Sequence, residues 1–285
     1  MPSALHRGEC IAATPPVVLT FAASDPGCGA GVQADLLTLA ALGCHPLTVL
    51  TAITIQDTVG VQQLYPLDPE WITDQARVLL ADMPVAAFKI GVLGHADNAR
   101  AVASILADFP DVPVVLDPVL ASGRGDSFGD EALLTAICSD LLPRTTVVTP
   151  NVPEAKRLCQ RDSCEDSSAD VLLADHAMTL IRFGAKAVLV TGTHADTPVV
   201  CNRLFDVSGQ IQEQSWSRLP GSYHGSGCTL ASALAAGLAQ GLTLMEADRQ
   251  AQTYVWQSLT HAYAPGRGQF VPDRLWKLSG DAGGR

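Results

Sequence analysis

Residues 17–43 read VVLTFAASDPGCGAGVQADLLTLAALG: a continuous apolar run, a glycine-rich turn, and a helical stretch that stops at Gly43. An apolar run without polar alternation suits a strand covered on both faces. A strand that passes straight into a helix is half of a βαβ unit. The same plan repeats along the chain. VVLTFA (17–22), TVLTAI (48–53), AAFKIG (86–91), PVVLDP (113–118), TVVTPN (146–151) and AVLVTG (187–192) read as buried strands. Helical stretches follow at 31–42, 68–82, 96–108, 130–141, 169–183, 227–240 and 244–262. Asp68-Pro69-Glu70 opens the second with an N-cap, a first-turn proline and an early acid. This alternation predicts an α/β domain, with a mostly parallel central sheet and helices on both faces, in three layers. PVVCNRLFDVSGQIQEQSWSRL (198–219) instead predicts a hairpin turning at Ser208-Gly209. Residues 1–16 are expected as a loose N-terminal tail, 17–270 as one domain, and 271–285 as a C-terminal tail.

Composition narrows the function. The 285 residues carry 18 basic and 29 acidic side chains, a formal charge of −11. That balance argues against a duplex nucleic-acid binder, which needs a basic face to displace counterions, and against an anionic-membrane surface protein. Apolar stretches of about six to nine residues fall far short of the roughly 20 that span a bilayer. Hydrophobic residues make up 47% and charged ones 16%, enough to bury a large core. The eight cysteines are scattered with no CxxC pair. They are expected as free thiols in a reducing cytoplasm, and a zinc site is not expected.

In an open parallel sheet, ligands bind beyond the carboxyl ends of the strands. Three such segments stand out. Ser24 to Gly31 (SDPGCGAG) offers glycines and exposed N–H groups ahead of a helix, or simply a tight strand-to-helix turn. Asp117 ends one strand and Asn151 another, and Asn151-x-x-Glu154 places two oxygen-bearing side chains within one helical turn. Such donors suit Mg²⁺ near a phosphate, but the same spacing is an ordinary helix capping box. Third, His224-Gly225-Ser226-Gly227-Cys228 precedes a small-residue helix, ASALAAGLAQG, so its N–H groups form an anion nest at the positive helix end. There the Cys228 thiolate is expected to be favoured, although a buried structural cysteine is the common role of this residue. His224 itself reads more as structural than as a phosphate contact. The four Trp are scattered and suggest no base-stacking platform.

Taken together and in this order, the three segments resemble the ribokinase-like superfamily. More closely they resemble the hydroxymethylpyrimidine/phosphomethylpyrimidine kinases of thiamine biosynthesis, over about residues 17–265. HGSGC (224–228) is similar to that family's HGTGC, where most ribokinase-like sugar kinases have Asp in place of Cys228. SDPGCGAGVQADL, TAITIQDT, KIGVL and LLP…TPNVPEA are similar to its first loop, pyrimidine-side strand, pocket wall and metal region. The resemblance implies that Gln56 bonds the aminopyrimidine edge, with Ala23, Ala30, Thr54, Val92 and Val119 around the ring. It implies that Gly225, Ser226, Gly227 and Cys228 stabilise the transferring phosphoryl group, with Cys228 accepting the substrate's proton. Asp117, Asn151 and Glu154 would hold Mg²⁺ and phosphate oxygens. Thr191, Gly192 and Thr193 would lie under the nucleotide phosphates.

Three positions depart from the family pattern: Ala23 stands where Gly is usual, Ser226 replaces Thr, and Lys-Gly-Gly-His reads Thr191-Gly192-Thr193-His194. The lost lysine bears on a second phosphorylation. The expected activity is an ATP- and Mg²⁺-dependent kinase of a small pyrimidine, acting as a cytoplasmic homodimer. A pyridoxal kinase, a non-catalytic vitamin-precursor sensor and a cysteine hydrolase are the competing readings. The loop at 121–129 is a candidate to close over substrate.

Overall fold

A computed structural model describes residues 14–120, 128–159, 169–193 and 197–279. Its strands are β1 (Val17–Ser24), β2 (His45–Gln56), β3 (Val61–Pro66), β4 (Val85–Ile90), β5 (Val114–Leu116), β6 (Val147–Val148), β7 (Ala187–Val190), β8 (Val199–Asp206) and β9 (Gly209–Ser217). Its helices are α1 (Gly31–Ala41), α2 (Pro69–Asp82), α3 (Ala96–Leu106), α4 (Glu131–Ala136), α5 (Val152–Leu158), α6 (Ala169–Arg182), α7 (Ser226–Ala239), α8 (Leu244–Thr260) and α9 (Trp276–Ser279). All nine strands join one sheet in the order β3-β2-β1-β4-β5-β6-β7-β8-β9. The central strands β2, β1, β4, β5, β6 and β7 are parallel, while β3, β8 and β9 add antiparallel edges.

Alternation along each strand sorts side chains into two cores. Leu19 and Phe21 of β1 pack with Ile72 of α2, Val102 of α3, Leu133 of α4 and Leu180 of α6. Val18, between them in sequence, points to the other side, with Leu39 of α1, Leu234 of α7 and Ala251 of α8. The three expected layers follow directly. All six described cysteines are free.

Several expectations change in detail. β3 joins the sheet although its exposed, polar VQQLYP carried no strand signal. The helix expected at 130–141 is α4 continued by a wider π turn through Leu141. In the hairpin, Val207-Ser208 make the turn and Gly209, with φ +113°, opens β9. The expected C-terminal tail begins too early: Val271 bridges Tyr263, and both Val271 and Arg274 are buried. Buried Arg274 donates to acceptors on the first loop and on α7, which ties the chain down there. Residues 121–127 of the candidate closing loop lie outside the described residues.

Candidate active site

The carboxyl ends of the parallel strands stop in step. Asp117 N–H donates to the Ile90 carbonyl at 2.8 Å, Thr149 N–H to Leu116 at 2.9 Å, and Thr191 N–H to Pro150 at 3.0 Å. Beyond them opens a cavity of about 740 Å³. It gathers Ala23, Ala30, Thr54, Gln56, Val92, Val119, Asp117, Asn151, Glu154, Thr191, Thr193 and Gly225 through Cys228. Of the residues singled out from sequence, Gly192 alone is not among the lining. Its N–H donates to Asn202 Oδ1 at 3.0 Å, and a Cβ there would meet the Cys201 carbonyl at 2.2 Å. A glycine is required there by close packing on β8.

One end of the cavity is apolar. Ala23, Ala52 and Val92 pack with Leu64, Val119 and Phe128, and Gln56 and Thr54 supply its polar edge. At the other end, Trp216 and Trp256 stand 5.8 Å apart, with Val200 and Leu259 beside them. The scattered tryptophans gave no sign of this pairing.

Between the ends lies the start of α7. Its N-cap is Gly225, left-handed at φ +81°, with no side-chain cap on the first turn. The glycine is obligatory, because a Cβ there would sit 1.9 Å from the Gly29 carbonyl. Gly29 is equally constrained, its Cβ position lying 2.2 Å from the His224 ring. The first loop and the anion loop thus touch backbone to backbone. His224 Nε2 donates to Asp25 Oδ2 at 2.9 Å, and Asp25 also accepts the N–H groups of Gly27, Gly29 and Ala30. Burial opposes its charge, but the His224 bond and these amides hold the Asp25 carboxyl below its ordinary value. His224 is therefore a structural latch. Arg274 closes the seam from behind, donating to Gly29 O at 2.5 Å, Thr229 Oγ1 at 3.0 Å, and Cys28 O and Gly225 O at 3.4 Å.

Under Cys228 lies a charge layer that sequence reading missed. Lys89 Nζ is 2.8 Å from Asp35 Oδ1, and neither side chain is exposed. Asp35 also accepts from Thr20 and Ser232, each at 2.7 Å. Burial opposes the ammonium, yet Asp35, Cys228 and Asp117 together hold Lys89 protonated above its ordinary value. The signal was present as a lone lysine in the apolar strand AAFKIG. Cys228 corrects the expectation of a favoured thiolate: burial pushes its thiol up to about 12, outweighing Lys89 and the Gly31 N–H. Helix position alone was a poor guide because desolvation is the larger effect.

The capping-box reading of Asn151-x-x-Glu154 is what the chain builds. Asn151 Oδ1 accepts Glu154 N–H at 2.9 Å and Glu154 Oε2 accepts Asn151 N–H at 3.0 Å. Glu154 nevertheless faces the cavity, and burial with nearby Asp117 pushes it up to about 8. Burial likewise raises Asp117 to about 6, and its buried Oδ2 has no hydrogen-bond partner among the described residues. Two carboxylates that burial penalises, one with an orphaned oxygen, fit a hard divalent cation that keeps most of its waters. Among the described residues no group of three or more His, Cys, Asp or Glu is arranged to hold a metal ion by itself.

The phosphomethylpyrimidine kinase family model matches residues 25–273. A Streptomyces coelicolor protein named hydroxymethylpyrimidine/phosphomethylpyrimidine kinase is 39% identical over 269 residues, covering 93% of this chain and 96% of that one. One of the same name from Mycobacterium tuberculosis is 37% identical over 93% of this chain and 96% of its own. Among solved structures, Staphylococcus aureus pyridoxal kinase with AMP-PCP and pyridoxal superposes with a TM-score of 0.82 at 28% identity, covering 92% and 94% of the two chains. Phosphomethylpyrimidine kinase from Clostridium difficile gives 0.73 at 28% identity, covering 86% and 99%.

Proposed function

Because the chain belongs to the phosphomethylpyrimidine kinase family, we propose that it transfers the γ-phosphoryl group of ATP to the hydroxymethyl oxygen of 4-amino-5-hydroxymethyl-2-methylpyrimidine, and then to the resulting monophosphate, in thiamine biosynthesis. The fold is ribokinase-like. The observation that carries the reading is the uncapped first turn of α7, set between an amide-edged apolar end and an aromatic end of one cavity. Acceptor and donor at opposite ends would meet over that turn, in line.

Phosphoryl transfer through a loose transition state asks for positioning and charge stabilisation more than covalent help. The N–H groups of Ser226, Gly227 and Cys228 lead α7 and would stabilise charge on the equatorial oxygens. Asp117 and Glu154 would hold Mg²⁺, which when bound neutralises charge on the phosphate oxygens. Cys228 would take the proton of the attacking hydroxyl only as the thiolate, after giving up its own proton. Burial resists its thiolate, while Lys89 below and Gly31 N–H favour it. Thr191 and Thr193 line the cavity, and Thr191 stands where the family resemblance expects a lysine.

In this reading the chain works in the cytoplasm as a homodimer. Support comes from six free thiols and from Ile53, Ile55 and Tyr65, exposed together on the β2–β3 edge. The test is ADP release with Mg-ATP against the hydroxymethylpyrimidine, its monophosphate and pyridoxal, side by side. Turnover on both pyrimidines is expected. Turnover on the alcohol alone would remove the second step and implicate Thr191. Preference for pyridoxal would replace the thiamine assignment by vitamin B6 salvage.

A further inference from the structure

Gln56 closes the polar edge of the apolar end, and its orientation is not free. Its Nε2 donates to Thr54 Oγ1 at 2.8 Å, and Thr54 Oγ1 donates to the Ser24 carbonyl at 2.7 Å. Among the described residues the Gln56 side chain makes no other hydrogen bond, and both side chains face the cavity. The directions in this short chain are forced by chemistry. A main-chain carbonyl only accepts, so the single hydroxyl hydrogen of buried Thr54 is committed to Ser24. Its oxygen then offers only lone pairs, and the group it meets must be the nitrogen end of the amide. Turning the amide over would set Oε1 against those lone pairs. The Gln56 carbonyl oxygen and its second N–H are thus left for a ligand in one fixed order.

We infer that Thr54 is a specificity-determining positioning residue, which locks the Gln56 amide to read an amino group beside a ring nitrogen and to reject a carbonyl beside a ring N–H. The inference rests on the proposed pyrimidine substrate. A 4-aminopyrimidine presents a donor and then an acceptor, which meet Oε1 and the second Nε2 hydrogen. Its 4-oxo counterpart presents an acceptor at C4 and a donor at N3, the reverse order, so like faces like at both contacts. A freely rotating amide would serve either edge. Here rotation costs the bond to Thr54, and the penalty for the wrong edge is that of two polar groups left buried and unpaired.

The test compares kcat/KM for 4-amino-5-hydroxymethyl-2-methylpyrimidine and its 4-oxo analogue in the unsubstituted protein, Thr54→Val and Thr54→Ser. The unsubstituted protein is expected to favour the amine by about 100-fold or more. Thr54→Val, close in volume but without the hydroxyl, should shrink that ratio by about tenfold or more, and Thr54→Ser should restore it. For a variant without turnover, the ratio of the two dissociation constants from calorimetry replaces kcat/KM. If Thr54→Val does not fold, Thr54→Ala carries the same comparison. An unchanged ratio in Thr54→Val, whatever happens to its absolute rate, overturns the lock, as does a Thr54→Ser that behaves like Val. A protein that turns over the amine with no preference against the oxo analogue also refutes it while leaving the kinase assignment intact. If neither pyrimidine is bound or phosphorylated, the functional reading fails and takes this inference with it.

Discussion

Lys89→Met separates the two jobs of the charge layer beneath the anion loop. The substitution leaves Asp35 fully buried with only the Thr20 and Ser232 hydroxyls as partners. Removing one member of a buried ion pair costs about 3–5 kcal/mol. At about 2–4 °C per kcal/mol for a chain of this size, melting should fall by roughly 6–20 °C. Adding Asp35→Asn removes the stranded charge while keeping a group that the two hydroxyls can bond, so most of that stability should return. Activity should not. Lys89 is the largest influence favouring the charged forms of both Cys228 and Asp117, ahead of the opposing Asp35. Losing an electrostatic stabiliser of this kind lowers kcat by about 100-fold. Melting curves and steady-state ADP release on the same three proteins make the comparison. Recovery of kcat together with melting temperature in the double variant would refute the electrostatic role. A single variant that melts like the unsubstituted protein would refute the buried pair itself.

Three other outcomes follow from the same geometry. Cys228→Ala should lower kcat far more than it raises KM for either substrate, and a loss through KM alone would remove Cys228 as proton acceptor. In the ligand-free protein, iodoacetamide near neutral pH should label exposed Cys28 and spare Cys228, whose thiol burial holds protonated, as peptide mass spectrometry would read. Asp25 is held below its ordinary value, so its contribution to stability is complete above about pH 4 and is lost as pH falls through the lower folded value. The melting-temperature gap between the unsubstituted protein and Asp25→Asn should therefore be flat at neutral pH and narrow in acid. A gap that widens in acid contradicts the sign.

The legible part of this molecule is what periodicity and turn chemistry write locally. Apolar runs such as VVLTFA and AVLVTG announce buried parallel strands, and Gly-Ser-Gly before a small-residue helix announces the helix start that lines the cavity. β3 escaped because an antiparallel edge strand with an exposed face needs no apolar run. The Cys228 thiol was misjudged because a helix end is visible in sequence, whereas the burial that outweighs it belongs to the folded core. Arg274 meets Gly29 across 245 positions of chain, and Lys89 meets Asp35 across 54. No local pattern encodes such pairings, although a lysine inside a buried strand demands that a partner exist.

The seam between Gly29, Gly225 and Arg274 also sets a timetable for synthesis. The first loop leaves the ribosome early and then waits for nearly 250 further residues before its last contact is made. Strands β1, β2 and β4 can pair in the meantime, but a nascent chain halted before Arg274 holds a sheet without the finished seam at the start of α7. Truncated translation products of this protein are thus expected to be unable to consume ATP, a safeguard that comes from topology alone.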